Sequence, residues 1–168
     1  TGFTVVDFTG WTEFITILFF ILMFFGASAG STSGGIKIVR HVVLLKNSYI
    51  ELKKQLHQQG VFTLKFNNSK VPQSVVTNIL AFMMLYVVIF SLGSVIMTLI
   101  GVDFITSIGS VAATLGNIGP GIGEVGPASN FSSIPDFGKY FLSLLMLIGR
   151  LELLTFLLIL TPAFWKFN

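Results

Sequence analysis

Between Gly101 and Gly126 seven glycines punctuate one of the most apolar parts of the chain, directly after Val75 to Ile100, 26 residues without a charge. A second apolar run, Phe137 to Trp165, follows almost at once. At the centre of the glycine-spaced segment stands Ala113-Thr114-Leu115-Gly116-Asn117-Ile118-Gly119-Pro120-Gly121. Non-helical backbone between two membrane spans needs a reason, because an unpaired carbonyl is costly in hydrocarbon. Such backbone survives where protein buries it or where it lines a water-filled path, and rings of its carbonyls can replace the hydration shell of a cation.

Composition restricts the class further. Of 168 residues 53% are hydrophobic, only 10% are charged and 18 are Phe, with mean hydropathy +0.86. That leaves far too little polar surface to cover a water-soluble globule, so the chain reads as an integral membrane protein. Cysteine is absent, and His41 and His57 are too few and too far apart for a metal cluster. Seven of the ten basic residues (Lys37, Arg40, Lys46, Lys53, Lys54, Lys65 and Lys70) lie between the first and second hydrophobic segments. By the positive-inside rule that connection is cytoplasmic. These charges lack an accompanying aromatic platform, which argues against nucleic acid as a partner.

The chain opens on Thr1-Gly2-Phe3-Thr4 with neither an initiator Met nor a signal peptide and runs straight into Trp11 and an apolar helix, the pattern expected of a C-terminal fragment. Phe14 to Phe25 is free of charge but shorter than the roughly 20 residues a span needs. Gly26-Ala27-Ser28-Ala29-Gly30-Ser31-Thr32-Ser33-Gly34-Gly35 interrupts it, and apolar residues resume from Ile36 to Leu45. This predicts one broken transmembrane helix with a small-residue loop at mid-depth, a discontinuity that marks transport sites. A polar helical segment is expected from Ile50 to Gln59, and Val61 to Phe66 alternates with period two before Asn67-Asn68, predicting a small hairpin. Val75 to Ile100 is a plain span. Asp103 can cap a short helix through about Thr114, whose carboxyl end, carrying roughly half a negative charge, faces the glycine turn and favours a cation beyond it. The last span, Phe137 to Trp165, holds Arg150 and Glu152, and Trp11 and Trp165 suit opposite membrane interfaces.

The fold expected is therefore an all-α membrane protein: a broken transmembrane helix, then helix, re-entrant pore helix with filter, and helix, as in a potassium-channel repeat. Gly26 through Lys37, Ala113 to Gly121 continued by Ile122-Gly123-Glu124-Val125, Leu145-Met146-Leu147-Ile148-Gly149-Arg150-Leu151-Glu152 and Thr161-Pro162-Ala163-Phe164-Trp165 closely resemble the membrane subunit of Trk-type potassium uptake systems, in the Trk/Ktr/HKT superfamily. The resemblance covers nearly the whole chain and implies four pore repeats around one path in the complete protein. It implies that residues 1–46 hold the filter end and broken second helix of the third repeat, 47–74 a cytoplasmic linker, and 75–168 the complete fourth repeat. By the same resemblance Gly119 is the filter glycine of the fourth repeat, Thr114, Leu115, Gly116, Asn117 and Ile118 form the strand leading to it, and Gly2 is the filter glycine of the third. Potassium would bind at Asn117, Ile118 and Gly119. Gly26, Gly30, Gly34 and Gly35 fall in the family's intramembrane gating loop, with Arg150 the nearby arginine of the last helix. The chain departs from common family usage at Gly116-Asn117, Ala27 and Ser33. The resemblance further implies lipid contact in the cytoplasmic (inner) membrane of a bacterium, a homodimer of full-length subunits, and a cytosolic nucleotide-binding regulatory subunit, with potassium the bound ion and no organic cofactor.

Competing readings of the same residues are weaker. Packing glycines recur at helical spacing, whereas Gly116, Gly119 and Gly121 stand with Asn117 and Pro120 in a turn. Gly30 to Lys37 fails as a phosphate loop because Ile36 occupies the lysine position. A Ser33–Lys37 hydrolase lacks any candidate oxyanion hole, so no enzyme is expected. A non-conducting scaffold or regulatory subunit of the same fold is the alternative in another functional class. Arg150 lies about 20 Å along the last helix from Phe137, near the bilayer centre, where an arginine needs a partner or water. Glu152 is two residues away and on a different face, so carbonyls of the small-residue loop are the expected partner.

Overall fold

The structure, a computed structural model, describes residues 2–57, 60, 62–151, 153, 155 and 162–165. Its elements follow the apolar runs. Helix α1 (Glu13–Leu22) starts at Thr12, whose hydroxyl accepts from the Ile15 N–H, with Glu13 against the positive helix end. It stops where small residues begin. The chain then forms a loop and enters α2 (Ile38–Leu56), 19 residues that run into the polar helical segment expected from Ile50 to Gln59, of which residues 58 and 59 lie outside the described residues. The mouth of the loop is closed by a bridge between Phe25 and Ile36, with the Gly26 N–H bonded to the Ile36 carbonyl at 2.7 Å and the Ile38 N–H to the Ala27 carbonyl at 3.2 Å.

The hairpin is smaller than the alternation implied. Strands β1 (Lys65–Phe66) and β2 (Ser69–Lys70) pair antiparallel, and Val61 lies outside the described residues. Asn67 (φ 47°) and Asn68 (φ 62°) both take the left-handed conformation a two-residue turn requires. Leu64 leaves the strand pair to pack with Val43 of α2 and with Val76 and Ile79 of the next helix, so this small unit is docked on the helices.

Helix α3 (Gln73–Leu99) is long and apolar enough to cross a bilayer, and it alone passes that test among the described residues. Met84, Leu92 and Leu99 lie on its exposed side, as lipid contact requires. Its other side, with Phe82, Tyr86 and Met97, meets α4 (Phe104–Leu115) and α5 (Asp136–Arg150) in one core that includes Val111, Leu115, Leu142 and Leu145. Helix α4 is capped by Asp103, whose carboxylate accepts from the N–H groups of Ile105 (3.0 Å) and Thr106 (3.3 Å). Hydrogen bonding by Thr106, above all by its hydroxyl, holds the Asp103 carboxyl below the usual carboxylate range. Twelve residues make α4 too short to cross a bilayer, and most of them, from Thr106 to Leu115, are buried.

The apolar run expected to form one span from Phe137 to Trp165 begins as α5, which ends at Arg150 with Leu151 at its C-cap, and a described helical segment, α6 (Pro162–Trp165), lies near its far end. Glu152 and residues 156–161 lie outside the described residues. Leu153 and Thr155 are again helical, so Leu151 marks an interruption of helical geometry directly after Arg150.

Helix α4 is clamped from behind by the segment that follows the turn. A Cβ on Gly109 would stand 2.6 Å from the carbonyl oxygen and 2.7 Å from the nitrogen of Ile122, two backbone atoms with no room to give. Gly109→Ala in the full-length protein should therefore cost about 1–3 kcal/mol by overpacking. A lowered thermal midpoint in detergent, followed by loss of the monodisperse peak, would show it. An unchanged midpoint would mean that the α4 contact is looser than described.

Candidate functional site

The site is built at the C-terminal end of α4. Serine and threonine within this buried helix are satisfied locally: the hydroxyl of Ser110 donates to the Ser107 carbonyl (3.0 Å) and that of Thr114 to the Ser110 carbonyl (2.7 Å). At the end, Asn117 turns left-handed (φ 54°), its N–H bonds the Thr114 carbonyl at 3.0 Å, and the Ile118 N–H bonds the Ala113 carbonyl at 2.9 Å. That pair of reversed bonds is a Schellman cap with Asn in the position usually held by Gly. Thr114 and Leu115 are consequently the last helical residues and Gly116 is the cap, so the expected strand from Thr114 to Ile118 is corrected to a helix end and its cap. The competing bonds decided it, since every carbonyl up to Thr114 already has a helical or capping use.

Past the cap the carbonyls are free. Among the described residues no hydrogen bond ends on the carbonyl of Asn117, Ile118 or Gly119. Gly119 has φ 118°, a conformation that L side chains rarely adopt, although nothing lies within 4 Å of where its Cβ would be. Unpaired carbonyls thus cluster at the helix end that carries partial negative charge, an arrangement that attracts a cation.

Three distant stretches close on this turn, each through a glycine. Gly2 (φ 68°) is seated so tightly that a Cβ would fall 1.8 Å from the Ile118 carbonyl oxygen. A Cβ on Gly34 would meet Asn117 Cβ at 2.7 Å and the Gly116 carbonyl at 2.8 Å, and one on Gly149 would meet the Leu115 carbonyl at 2.1 Å. The Asn117 amide also donates to the Met146 carbonyl of α5 at 3.0 Å. Gly2, the turn and the small-residue loop, separate in sequence, are therefore contiguous. Gly149 was not singled out by sequence reasoning; its place among the bulky residues Leu147, Ile148 and Arg150 was the available signal.

The loop has a defined internal structure. Gly30 (φ 83°) and Gly35 (φ 72°) supply left-handed backbone, the Ser31 N–H bonds the Ser28 carbonyl at 3.2 Å, and the Ala27 N–H bonds the Ser33 hydroxyl at 3.3 Å. Gly26 sits where a Cβ would meet the carbonyls of Gly34 and Ile36, both at 2.9 Å. Lys37 crosses back over the loop, its ammonium donating to the carbonyls of Ser31 (2.6 Å) and Ser33 (2.5 Å). These are the bonds expected of Arg150. Arg150 instead lines a cavity of 60 Å³ together with Ser31, Ser33, Gly35 and Lys37, and it makes no hydrogen bond or ion pair among the described residues. Lysine reaches the carbonyls because it is anchored at the N-cap of α2, directly after the loop. Lys37 also lies 3.4 Å from the Ser33 hydroxyl, but its shorter bonds to carbonyls make it a cationic clamp rather than a base.

The sequence model of one family, described as TrkH, cation transport protein, matches residues 1–166. The chain belongs to that family. It is 38% identical over 167 residues to the Trk system potassium uptake protein TrkI of Halomonas elongata and 39% identical over 165 residues to TrkH of Vibrio parahaemolyticus. Against TrkH of Escherichia coli identity is 37% over 165 residues. These alignments cover 98–99% of the chain but 34% of each relative, so the chain spans about a third of their length. The fold matches the crystal structure of the potassium transporter TrkH from Vibrio parahaemolyticus with a TM-score of 0.89 and 39% identity, over 98% of this chain and 35% of that one. Membership of the TrkH family and the 27-residue apolar α3 together make this an integral membrane chain.

The clamp makes a direct prediction. Lys37→Met keeps length and apolar bulk but leaves the Ser31 and Ser33 carbonyls without their donor. A cysteine placed at Thr32 should then react several-fold faster with a small maleimide than it does with Lys37 intact, while overall folding is retained. Equal rates would show that the loop holds its shape without the ammonium.

Proposed function

We propose that the chain forms part of the pore of a Trk-type potassium uptake protein in the cytoplasmic membrane of a bacterium. Helix α4 is the re-entrant pore helix, and the carbonyls of Asn117, Ile118 and Gly119 contribute one side of a potassium-selective filter. Gly2 belongs to the neighbouring repeat's filter segment. The observation that carries this reading is the cluster of three unaccepted carbonyls beyond the cap of α4, with the backbone at Gly2 packed against the same turn. The names of the relatives, potassium uptake proteins, supply the ion.

Gly26 to Gly35, packed through Gly34 against Gly116 and Asn117, is the gate beneath the filter, with Gly30 and Gly35 as its turning points and Arg150 as a positive barrier beside it. A cation leaving the filter meets the loop first and the guanidinium close by, and the positive charge of Arg150 raises the local potential against it. In the family's manner the full-length subunit pairs with a second copy, contacts lipid and docks a cytosolic nucleotide-binding regulatory subunit on the face formed by residues 46–70.

Two measurements test filter and gate separately. Gly119→Ser forces a side chain onto a backbone region nearly reserved for glycine, at about 1–3 kcal/mol, and should reduce potassium-over-sodium preference or abolish uptake in cells lacking their own potassium systems. Unaltered preference at normal expression would refute the filter assignment. Deleting residues between Ala27 and Gly34, or Arg150→Ala, should raise ion flux with preference retained. Flux that falls to zero in well-folded protein for both changes would make the loop a structural element and not a gate.

A further inference from the structure

The cavity of 60 Å³ beside the loop is walled by polar groups for which a potassium path has no use. Lys37, Arg40 and Arg150 bring positive charge to it, and none of the described carboxylates lines it. Glu51 pairs with Lys54 at 2.7 Å, Asp136 pairs with Lys139 at 3.1 Å, and Asp103 caps α4. Charge of one sign gathered within a membrane chain is costly without a counter-charge. Tyr86 forms the floor of the cavity, 2% exposed, and its hydroxyl has no hydrogen-bond partner among the described residues. A buried hydroxyl in that state calls for a partner that the protein does not supply. The loop serines that line the cavity are left as donors too. Ser31 Oγ already accepts from the Ser33 N–H at 3.1 Å, and Ser33 Oγ accepts from the Ala27 N–H at 3.3 Å and the Lys37 ammonium at 3.4 Å, while neither hydroxyl donates a bond among the described residues.

We propose that this cavity binds one halide ion, chloride in the cell, held by the Arg150 guanidinium and by the hydroxyls of Tyr86 and the loop serines. Lys37 and Arg40 contribute charge more than donors: the Lys37 ammonium is committed to the Ser31 and Ser33 carbonyls, and the Arg40 guanidinium stacks 3.9 Å over Phe82. The donor set excludes a cation, which would meet three like charges and find those two loop carbonyls already taken. Water would satisfy the hydroxyls but leave the charges uncompensated. Size excludes the larger anions. A volume of 60 Å³ is that of about two waters at ~30 Å³ each, enough for a monatomic anion but not for a phosphate ester and its organic group. The way in is past Arg150, whose side chain is exposed where that of Tyr86 is buried. A bound halide offsets part of the positive charge beside the loop. That consequence for flux rests on the reading of Arg150 as a barrier, whereas the site itself does not.

The test uses the full-length protein in detergent, with sodium gluconate exchanged for sodium bromide at constant ionic strength. Bromide should raise the thermal midpoint in a saturable way, since a ligand that binds the folded state alone stabilises it by mass action. Crystals of the same protein in bromide should show an anomalous peak between Tyr86 and Arg150. Tyr86→Phe, which removes only a hydroxyl, should lose most of the midpoint shift, Arg150→Gln should lose all of it, and Arg150→Lys, which keeps the charge, should recover part. Equal midpoints in gluconate and bromide with no peak in the cavity overturn the proposal, and would mean that water or the carboxylate of Glu152 answers these charges. A shift of full size in both Tyr86→Phe and Arg150→Gln would assign the halide to another place and equally overturn it. Potassium uptake into proteoliposomes, with chloride or gluconate on the cytoplasmic side, separates the site from the barrier. Uptake should be several-fold faster with chloride. Equal uptake with the bromide peak present leaves the halide site standing and overturns Arg150 as the barrier.

Discussion

The left-handed turn at Asn117 is the constraint on which the rest of the site depends. A helix that simply continued past Leu115 would use up the carbonyls of Ile118 and Gly119 in further turns. Asn117 stops it, at about 1–2 kcal/mol for left-handed backbone in an L residue. Two capping bonds and the amide bond to the Met146 carbonyl offset that, each worth about 0.5–1.5 kcal/mol net. The chain then leaves the helix axis with its next carbonyls unclaimed. Because Asn117 also bonds α5, the turn is held by a second helix and not by local sequence alone.

Around that turn the packing is backbone against backbone. Gly2, Gly34 and Gly149 come from three different parts of the chain, and each approaches where a single methyl group would collide with a main-chain atom of residues 115–118 or with the Asn117 side chain. Close approach of this kind leaves little slack, since interiors pack at near-crystalline density. The loop below the turn and α5 beside it are therefore mechanically joined to the proposed filter without any ionic contact between them.

The two basic residues at the loop divide the labour that one was expected to perform. Lys37 satisfies the Ser31 and Ser33 carbonyls at hydrogen-bond distance, and in doing so ties the loop to the first residue of α2. Arg150 lines the same cavity without an ion pair among the described residues. Tyr86, whose buried hydroxyl has no partner among the described residues, and Arg40, stacked 3.9 Å over Phe82, complete the wall of that cavity. Lys37 therefore links the loop carbonyls directly to the N-terminal end of α2.

Much of this was legible in the residues. Charge-free runs located α1, α3 and the start of α5, Asp103 located α4, and Asn67-Asn68 located the hairpin turn, because burial of apolar side chains and capping of free N–H groups act over short stretches and need no knowledge of the fold. The motifs Gly26 to Lys37 and Ala113 to Gly121 point to the family on their own. What sequence could not decide were the choices between competing partners. Whether Thr114 to Ile118 would be strand or helix cap, whether Lys37 or Arg150 would take the loop carbonyls, and where α5 would be interrupted all depend on which groups tertiary packing brings within 3 Å. The glycine pattern by itself determined that the chain would leave helical geometry between two apolar helices. Only the tertiary structure decided which carbonyls stay free, since a hydrogen bond is settled by distance and direction, and those are set by residues as far apart in sequence as Gly2, Gly34 and Gly149.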